Sequence, residues 1–384
     1  MRQEILTKFL PGSKDSNLVS RLPSFEGELL FPLDFYGYVF CEKCGEVAVK
    51  AGWRYNSCKE KVQRYYCRKC KSYFEIDFNA HSHQPQWVFD RIDSAMVTGL
   101  SYSQIPKEVR REGRNRQDSL TISIPTAYQI VEKSNTLLEE IEAVILRILA
   151  AKKPPSRTWL IDERYHTLPK RRIKGTQMQI LDPALWKCEV PQKSRKLRRK
   201  RQKERFMYAI AVIEQESGFC FSTVVSKNKD FKAAVKALAL AARRAGYDPN
   251  LIRCDAHKPS AQAAGMLFPG ALIASYSKDE KIECINEIET WFSGVSRAIG
   301  KHRFRAIKPL DNALNLYRYH RNFLEPYSKK TPNAGRTPAE VLGIWLPPEI
   351  KNEEDFKFLE LLRFARKFLN VIRAFQARKW FVSP

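Results

Sequence analysis

The sequence predicts an α/β protein: a mixed-sheet core preceded by a small cysteine ribbon and an all-helical unit. Three observations carry this expectation. Two apolar runs of strand character, Thr158-Trp159-Leu160-Ile161 and Leu251-Ile252-Arg253-Cys254, each close on an acid, Asp162 and Asp255. Between them lie two more β-rich stretches and a run of helical spacing, and that alternation argues for a sheet covered by helices. Ahead of them stand two Cys-x-x-Cys pairs and several segments whose apolar residues recur at helical spacing.

At 384 residues the chain is long for one domain and is read as several units. Residues 1–40 form a lead-in, where Pro11-Gly12-Ser13 breaks any early helix and Phe31-Pro32-Leu33-Asp34-Phe35-Tyr36 is extended. In 41–80, Cys41 and Cys44 are followed, after 22 intervening residues, by Cys67 and Cys70. Paired knuckles supply four soft ligands at tetrahedral reach, so this is the expected structural zinc site, with Cys58, His81 and His83 as substitute ligands. Arg64, Arg68, Lys69 and Lys71 make the second knuckle basic, either for phosphate contact or as a solvated face.

Residues 85–152 contain Val88, Ile92, Ala95 and Met96 at helical spacing, a stop at Gly99, then Ile105 and Val109. Ser123-Ile124-Pro125-Thr126 opens a third helix, with proline where its missing N–H costs little. The outline is that of a helix-turn-helix, which would bring Thr126, Gln129 and Lys133 to base edges or phosphates; any three-helix packing shares it. Leu137, Ile141, Val144 and Ile148 carry that helix on as a connector until Lys152-Lys153-Pro154-Pro155 ends it.

Residues 156–345 hold the sheet. Strand 158–162 leads into a basic insertion, 165–205, whose densest part (193–203) includes Arg195, Arg198, Arg199, Lys200 and Arg201. Such a run repels itself and reads as a phosphate-tracking arm or a solvated insertion. A hairpin over 206–225 follows, then a helix capped by Asp230 and ended at Gly246, then the strand delivering Asp255. Asn286-Glu287-Ile288-Glu289 opens a further helix, anchored by Trp291 and Phe292. Strand, hairpin, helix, strand and acidic helix is the order of a ribonuclease H-like core, in which the strands bearing Asp162 and Asp255 are neighbours. In 346–384, Leu359, Leu362, Phe368, Ile372 and Phe375 share a helical face, either core or a surface for a partner helix.

With 67 Lys+Arg against 42 Asp+Glu the formal charge is +25, which points to a polyanion, most simply nucleic acid. No run approaches the length of a spanning helix and the N-terminus lacks a secretory apolar core, so the expectation is a soluble cytoplasmic protein. Nine cysteines, an odd number, fit a reducing compartment with thiolates used for metal.

Residues 41–345 resemble the DDE transposases of prokaryotic insertion sequences, within the retroviral-integrase-like superfamily. The likeness rests on the paired knuckles before a helix-turn-helix, Trp159-Leu160-Ile161-Asp162-Glu163, the hairpin and helix, Asp255, Asn286-x-x-Glu289 and Thr337-Pro338-Ala339-Glu340. It implies that Asp162, Asp255 and Glu289 hold Mg²⁺ or Mn²⁺, with Glu283 and Glu287 competing for the third place. It also implies an enzyme that cuts transposon ends and joins them to target DNA, acting on double-stranded DNA as a homo-oligomer in the nucleoid. A regulator that binds DNA without cutting and a metal-dependent nuclease are the competing classes.

Overall fold

The run ending in Asp162 is the middle of the main sheet, and its composition explains why. In the computed structural model, β4 (Thr158–Thr167) is flanked on both sides, and Trp159, Leu160 and Ile161 are buried. A strand covered on both faces reads as a continuous apolar run rather than an alternation. The structure describes residues 38–78, 80–152, 156–167, 206–255, 258–276, 286–299, 304, 306–328, 331–344, 346–347, 350 and 357–377. The basic insertion from 168 to 205 and the lead-in before residue 38 lie outside the described residues.

β5 (Phe206–Glu214) and β6 (Cys220–Ser226) form the expected hairpin, and β7 (Leu251–Asp255) and β8 (Leu272–Tyr276) complete a five-stranded mixed sheet in the order β6-β5-β4-β7-β8. β4 pairs antiparallel with β5 and parallel with β7, and β7 parallel with β8. The β4–β7 register runs from Thr158 opposite Leu251 to Ile161 opposite Cys254, so the next residue on each strand is an aspartate.

A separate three-stranded antiparallel sheet, β1 (Val49–Tyr55), β2 (Lys61–Cys67) and β3 (Ser72–Phe74), makes the ribbon. Three helices follow: α1 (Gln86–Val97), α2 (Ile105–Asn115) and α3 (Ile124–Lys152). α3 is one unbroken helix of 29 residues, so its start and its connector portion are continuous. Between β6 and β7, α4 (Phe231–Ala245) begins at Asp230, whose carboxylate accepts from the Ala233 N–H, and ends at Gly246 in the left-handed conformation. α5 (Lys258–Leu267), α6 (Asn286–Ala298) and α7 (Ile307–Tyr319) follow, and α7 runs into a π-turn, His320–Leu324. The Thr-Pro-Ala-Glu motif is a capping box that starts α8 (Pro338–Leu342): the Thr337 hydroxyl accepts from the Glu340 N–H and the Glu340 carboxylate accepts from Thr337.

The apolar face of α9 (Lys357–Ala377) is core: Leu359, Leu362, Phe368 and Ile372 are buried, and the side chain of Phe375 lies outside the described residues. Asp90 of α1 accepts from the N–H groups of Phe358 and Leu359, satisfying donors at the start of α9 from another helix. Asn370 accepts from the Phe40 N–H and donates to the Phe40 carbonyl, both at 2.9 Å, so α9 also grips the ribbon. One continuous buried cluster joins α1–α3, the main sheet, α7 and α9. Inside it Arg318 of α7 pairs with Glu142 of α3, both fully buried, and Arg244 of α4 pairs with Glu139 at 3.0 Å.

Candidate active site and metal centres

Asp162, midway along β4, and Asp255, the last residue of β7, converge because the parallel register brings the two strands level at these positions. Ligand oxygens of Asp162, Glu163 and Asp255 all lie within 4.8 Å of one another. Asp162 Oδ1 accepts the N–H of Glu163 at 2.7 Å, which fixes its carboxylate beside β7. Burial pushes the Asp162 carboxyl up to about 7; the Glu163 N–H opposes this, and the negative charges of Asp255, Glu163 and Glu289 add to the rise. A buried carboxylate raised in this way beside other acids makes a site that a hard cation would relieve.

α6 packs against β4: the Arg164 guanidinium, two residues along from Asp162, donates to the Phe292 carbonyl at 3.0 Å. Ile288, Trp291 and Phe292 bury the inner side of α6 and leave Glu289 exposed; Glu289 is not among the acids whose ligand oxygens lie within 4.8 Å of one another, and its charge is the smallest of the named contributions to the rise at Asp162. Glu287 is half-buried, its carboxyl raised by burial and lowered by the Arg253 charge. Glu283 lies outside the described residues.

Sequence reasoning did not single out Glu163. Neighbours on a strand point to opposite faces, so alternation along β4 argues against Asp162 and Glu163 sharing a site, yet their ligand oxygens lie within 4.8 Å of one another. Lys229, just before α4, reaches Glu163 at 2.9 Å. The pair Asp-Glu at the end of an apolar run was the available signal.

In the ribbon, the sulfurs of Cys41, Cys44, Cys67 and Cys70 lie within 4.8 Å of one another, with Cys41–Cys70 at 3.8 Å and Cys44–Cys67 at 3.5 Å. Each knuckle turns through a left-handed residue directly after its second cysteine, Gly45 at φ 72° and Lys71 at φ 49°. Burial raises the Cys67 thiol, but the Cys70 N–H and the neighbouring thiols outweigh it and bring Cys67 down to about 7. Four thiols so placed, one of them easily ionised, could hold a zinc ion. Cys58, His81 and His83 are not in the group; His81 lies 3.6 Å from Glu75 instead.

Of the residues expected at DNA, Thr126 is half-buried and its hydroxyl lies 2.8 Å from Ser123 Oγ, which also accepts the Thr126 N–H at the start of α3. Gln129 is exposed on the same helix. The Lys133 ammonium donates to the Phe78 carbonyl at 3.2 Å and lies 4.5 Å from the Phe78 ring centroid, so its charge is engaged within the chain. Arg195, Arg198, Arg199, Lys200 and Arg201 lie outside the described residues. No helix among the described residues is long and apolar enough to cross a membrane.

No family model matches the chain, and no curated protein matches it. Among solved structures, the chain is similar to one in the cryo-EM structure of a simian T-cell lymphotropic virus intasome in complex with PP2A regulatory subunit B56 gamma. The identity is 15% and the TM-score 0.31, over 50% of this chain and 57% of that one. This chain thus spans little more than half of that neighbour's length, and a likeness of this size bears on neither activity nor partner.

Proposed function

We propose that the chain is a DDE-type DNA transposase with a ribonuclease H-like core, which binds transposon ends and performs metal-dependent strand cleavage and strand transfer. The observation that carries this reading is the delivery of Asp162 and Asp255 side by side from parallel strands. The strand order, with its antiparallel hairpin and two parallel additions, supports the same core.

Asp162, Asp255 and Glu289 would hold Mg²⁺ or Mn²⁺, with Glu163 beside them and paired to Lys229. Divalent ions bound there neutralise charge developing on a phosphoryl group and favour attack by a hydroxyl. The chain's own part is placement: β4 and β7 fix the aspartates, and buried Trp291 and Phe292 seat the helix that brings Glu289. Glu289 is preferred to Glu287 because Glu289 acts on Asp162, whereas Glu287 faces the charge of Arg253.

The experiment is incubation of the protein with Mg²⁺ and the DNA flanking its own gene, comparing the native chain with Asp162→Asn, Asp255→Asn and Glu289→Gln. Cleavage and joining by the native chain should fall by orders of magnitude in all three variants while DNA binding persists. Full cleavage by Asp162→Asn refutes the site. Cleavage without joining identifies a nuclease, and binding without cleavage a regulator.

A further inference from the structure

The ribbon sheet has two unlike faces, and the cross-strand register assigns residues to each. Val62, Arg64, Tyr66 and Tyr73 share one face, where Val62 is fully buried and Arg64 lies over the Tyr73 ring. Arg54 belongs to that face and is held by Glu75 and the Ala80 carbonyl. The other face carries Lys50, Trp53, Tyr55, Lys61, Gln63 and Tyr65.

An irregularity in β1 produces this grouping. Regular alternation would put Lys50 and Trp53 on opposite faces, but the register shifts between them at Gly52, whose φ is +85°. The bulge therefore turns Trp53 and Tyr55 onto the face of Lys50 and Lys61. Trp53 and Tyr55 are each 62% exposed, on the edge strand of the sheet, and both lysines are exposed.

Large aromatic rings left in water beside cations, in a ribbon with nine Lys+Arg (residues 43, 50, 54, 59, 61, 64, 68, 69, 71) against five Asp+Glu (42, 46, 60, 75, 77), suit an anionic partner with exposed π-faces. Unpaired bases have such faces. Paired bases are covered above and below by their neighbours and offer only edges and phosphates. Two residues of strand rise about 6.8 Å, twice the ~3.4 Å stacking rise of bases, so a base can lie on either ring without displacing the other.

We propose that this face of the ribbon is a binding site for single-stranded DNA, with bases stacked on Trp53 and Tyr55 and phosphates met by Lys50 and Lys61. The site stands apart from the acidic cluster and needs neither cleavage nor added Mg²⁺.

The test uses the full chain, zinc retained and Mg²⁺ omitted, with a labelled oligothymidine and a duplex of equal length. Trp53→Leu with Tyr55→Leu, which keeps apolar bulk and removes the rings, should weaken oligothymidine binding about tenfold or more and leave duplex binding unchanged. Trp53→Phe with Tyr55→Phe should retain it. Lys50→Gln with Lys61→Gln should flatten the salt dependence for the single strand by about 0.7 for each phosphate that no longer meets a lysine. Unchanged single-strand affinity in the leucine variant, with one zinc still bound per chain, overturns the proposal. So does equal loss on single strand and duplex, tighter binding of oligouridine than of oligothymidine, or a change of oligomeric state with DNA binding intact.

Discussion

Replacing Asp162 by asparagine should stabilise the metal-free protein, in a pH-dependent way. The folded chain raises this carboxyl from 3.8 to about 7, so folding disfavours its ionised form. The resulting destabilisation is absent below pH 4, grows between pH 4 and 7, and is complete above 7. At about 1.4 kcal/mol per pH unit, a rise of this size corresponds to at most about 4 kcal/mol. Asparagine carries no charge and can still accept the Glu163 N–H that Asp162 accepts at 2.7 Å. Denaturant unfolding of both proteins, without divalent metal, should show a gain of only about 1 kcal/mol for Asp162→Asn at pH 4.5 and of a few kcal/mol at pH 8. Mg²⁺ should then stabilise the native chain at pH 8, less at pH 6, and the variant hardly at all. A variant less stable than the native chain at pH 8 would refute the reasoning, because it would make the carboxylate a structural acceptor rather than a strained member of a charge cluster.

Cys44→Ser should release zinc and unfold the ribbon locally, since a closed thiolate site contributes folding free energy directly; zinc analysis and limited proteolysis check this, and a folded ribbon free of zinc would exclude it. Glu142→Leu strands the fully buried Arg318 and should cost roughly 3–5 kcal/mol, whereas Glu142→Leu with Arg318→Met should restore most of that. Equal unfolding free energies for single and double variants would show that the pair is not the source of the cost. Changing Arg198, Arg199, Lys200 and Arg201 to Gln should reduce the slope of log K against log salt on duplex DNA by about 0.9 for each phosphate left without its cation. An unaltered slope would make the run a solvated insertion.

The parts legible in the sequence were those whose physics is local. A central strand buried on both faces shows as an unbroken apolar run, so 159–161 could be read directly, although β4 continues through polar residues to Thr167; 251–255 was legible as a short run closing on an aspartate, and the hairpin and the Asp230 cap followed from turn and cap chemistry. Cysteine spacing located the four-thiol group for the same reason. Tertiary geometry decided the rest. Lys133 stands exposed on the helix expected at DNA, and no local pattern announces its hydrogen bond to the Phe78 carbonyl 55 residues away. Arg318 and Glu142 are 176 residues apart, and no periodicity announces their pairing. The apolar face of α9 fits core or partner surface equally well in sequence, and Asp90 at the helix start decides for core. Glu163 was hidden by the alternation that usually separates strand neighbours.

The grip of Asn370 on Phe40 spans 330 residues of chain, and this sets an order of events during synthesis. At roughly 5–20 residues per second, the stretch around Phe40 leaves the ribosome roughly 15–70 s before its partner helix is made. Over that interval the ribbon has its four cysteines but no clasp, while the cluster shared by α1, α3 and the sheet lacks the helix that fills one side. The four-cysteine group is thus complete before closure, and α9 acts as the bolt that locks the early-made ribbon to the finished body. Premature termination before residue 357 would leave a chain with every proposed catalytic acid present and its front end unlatched.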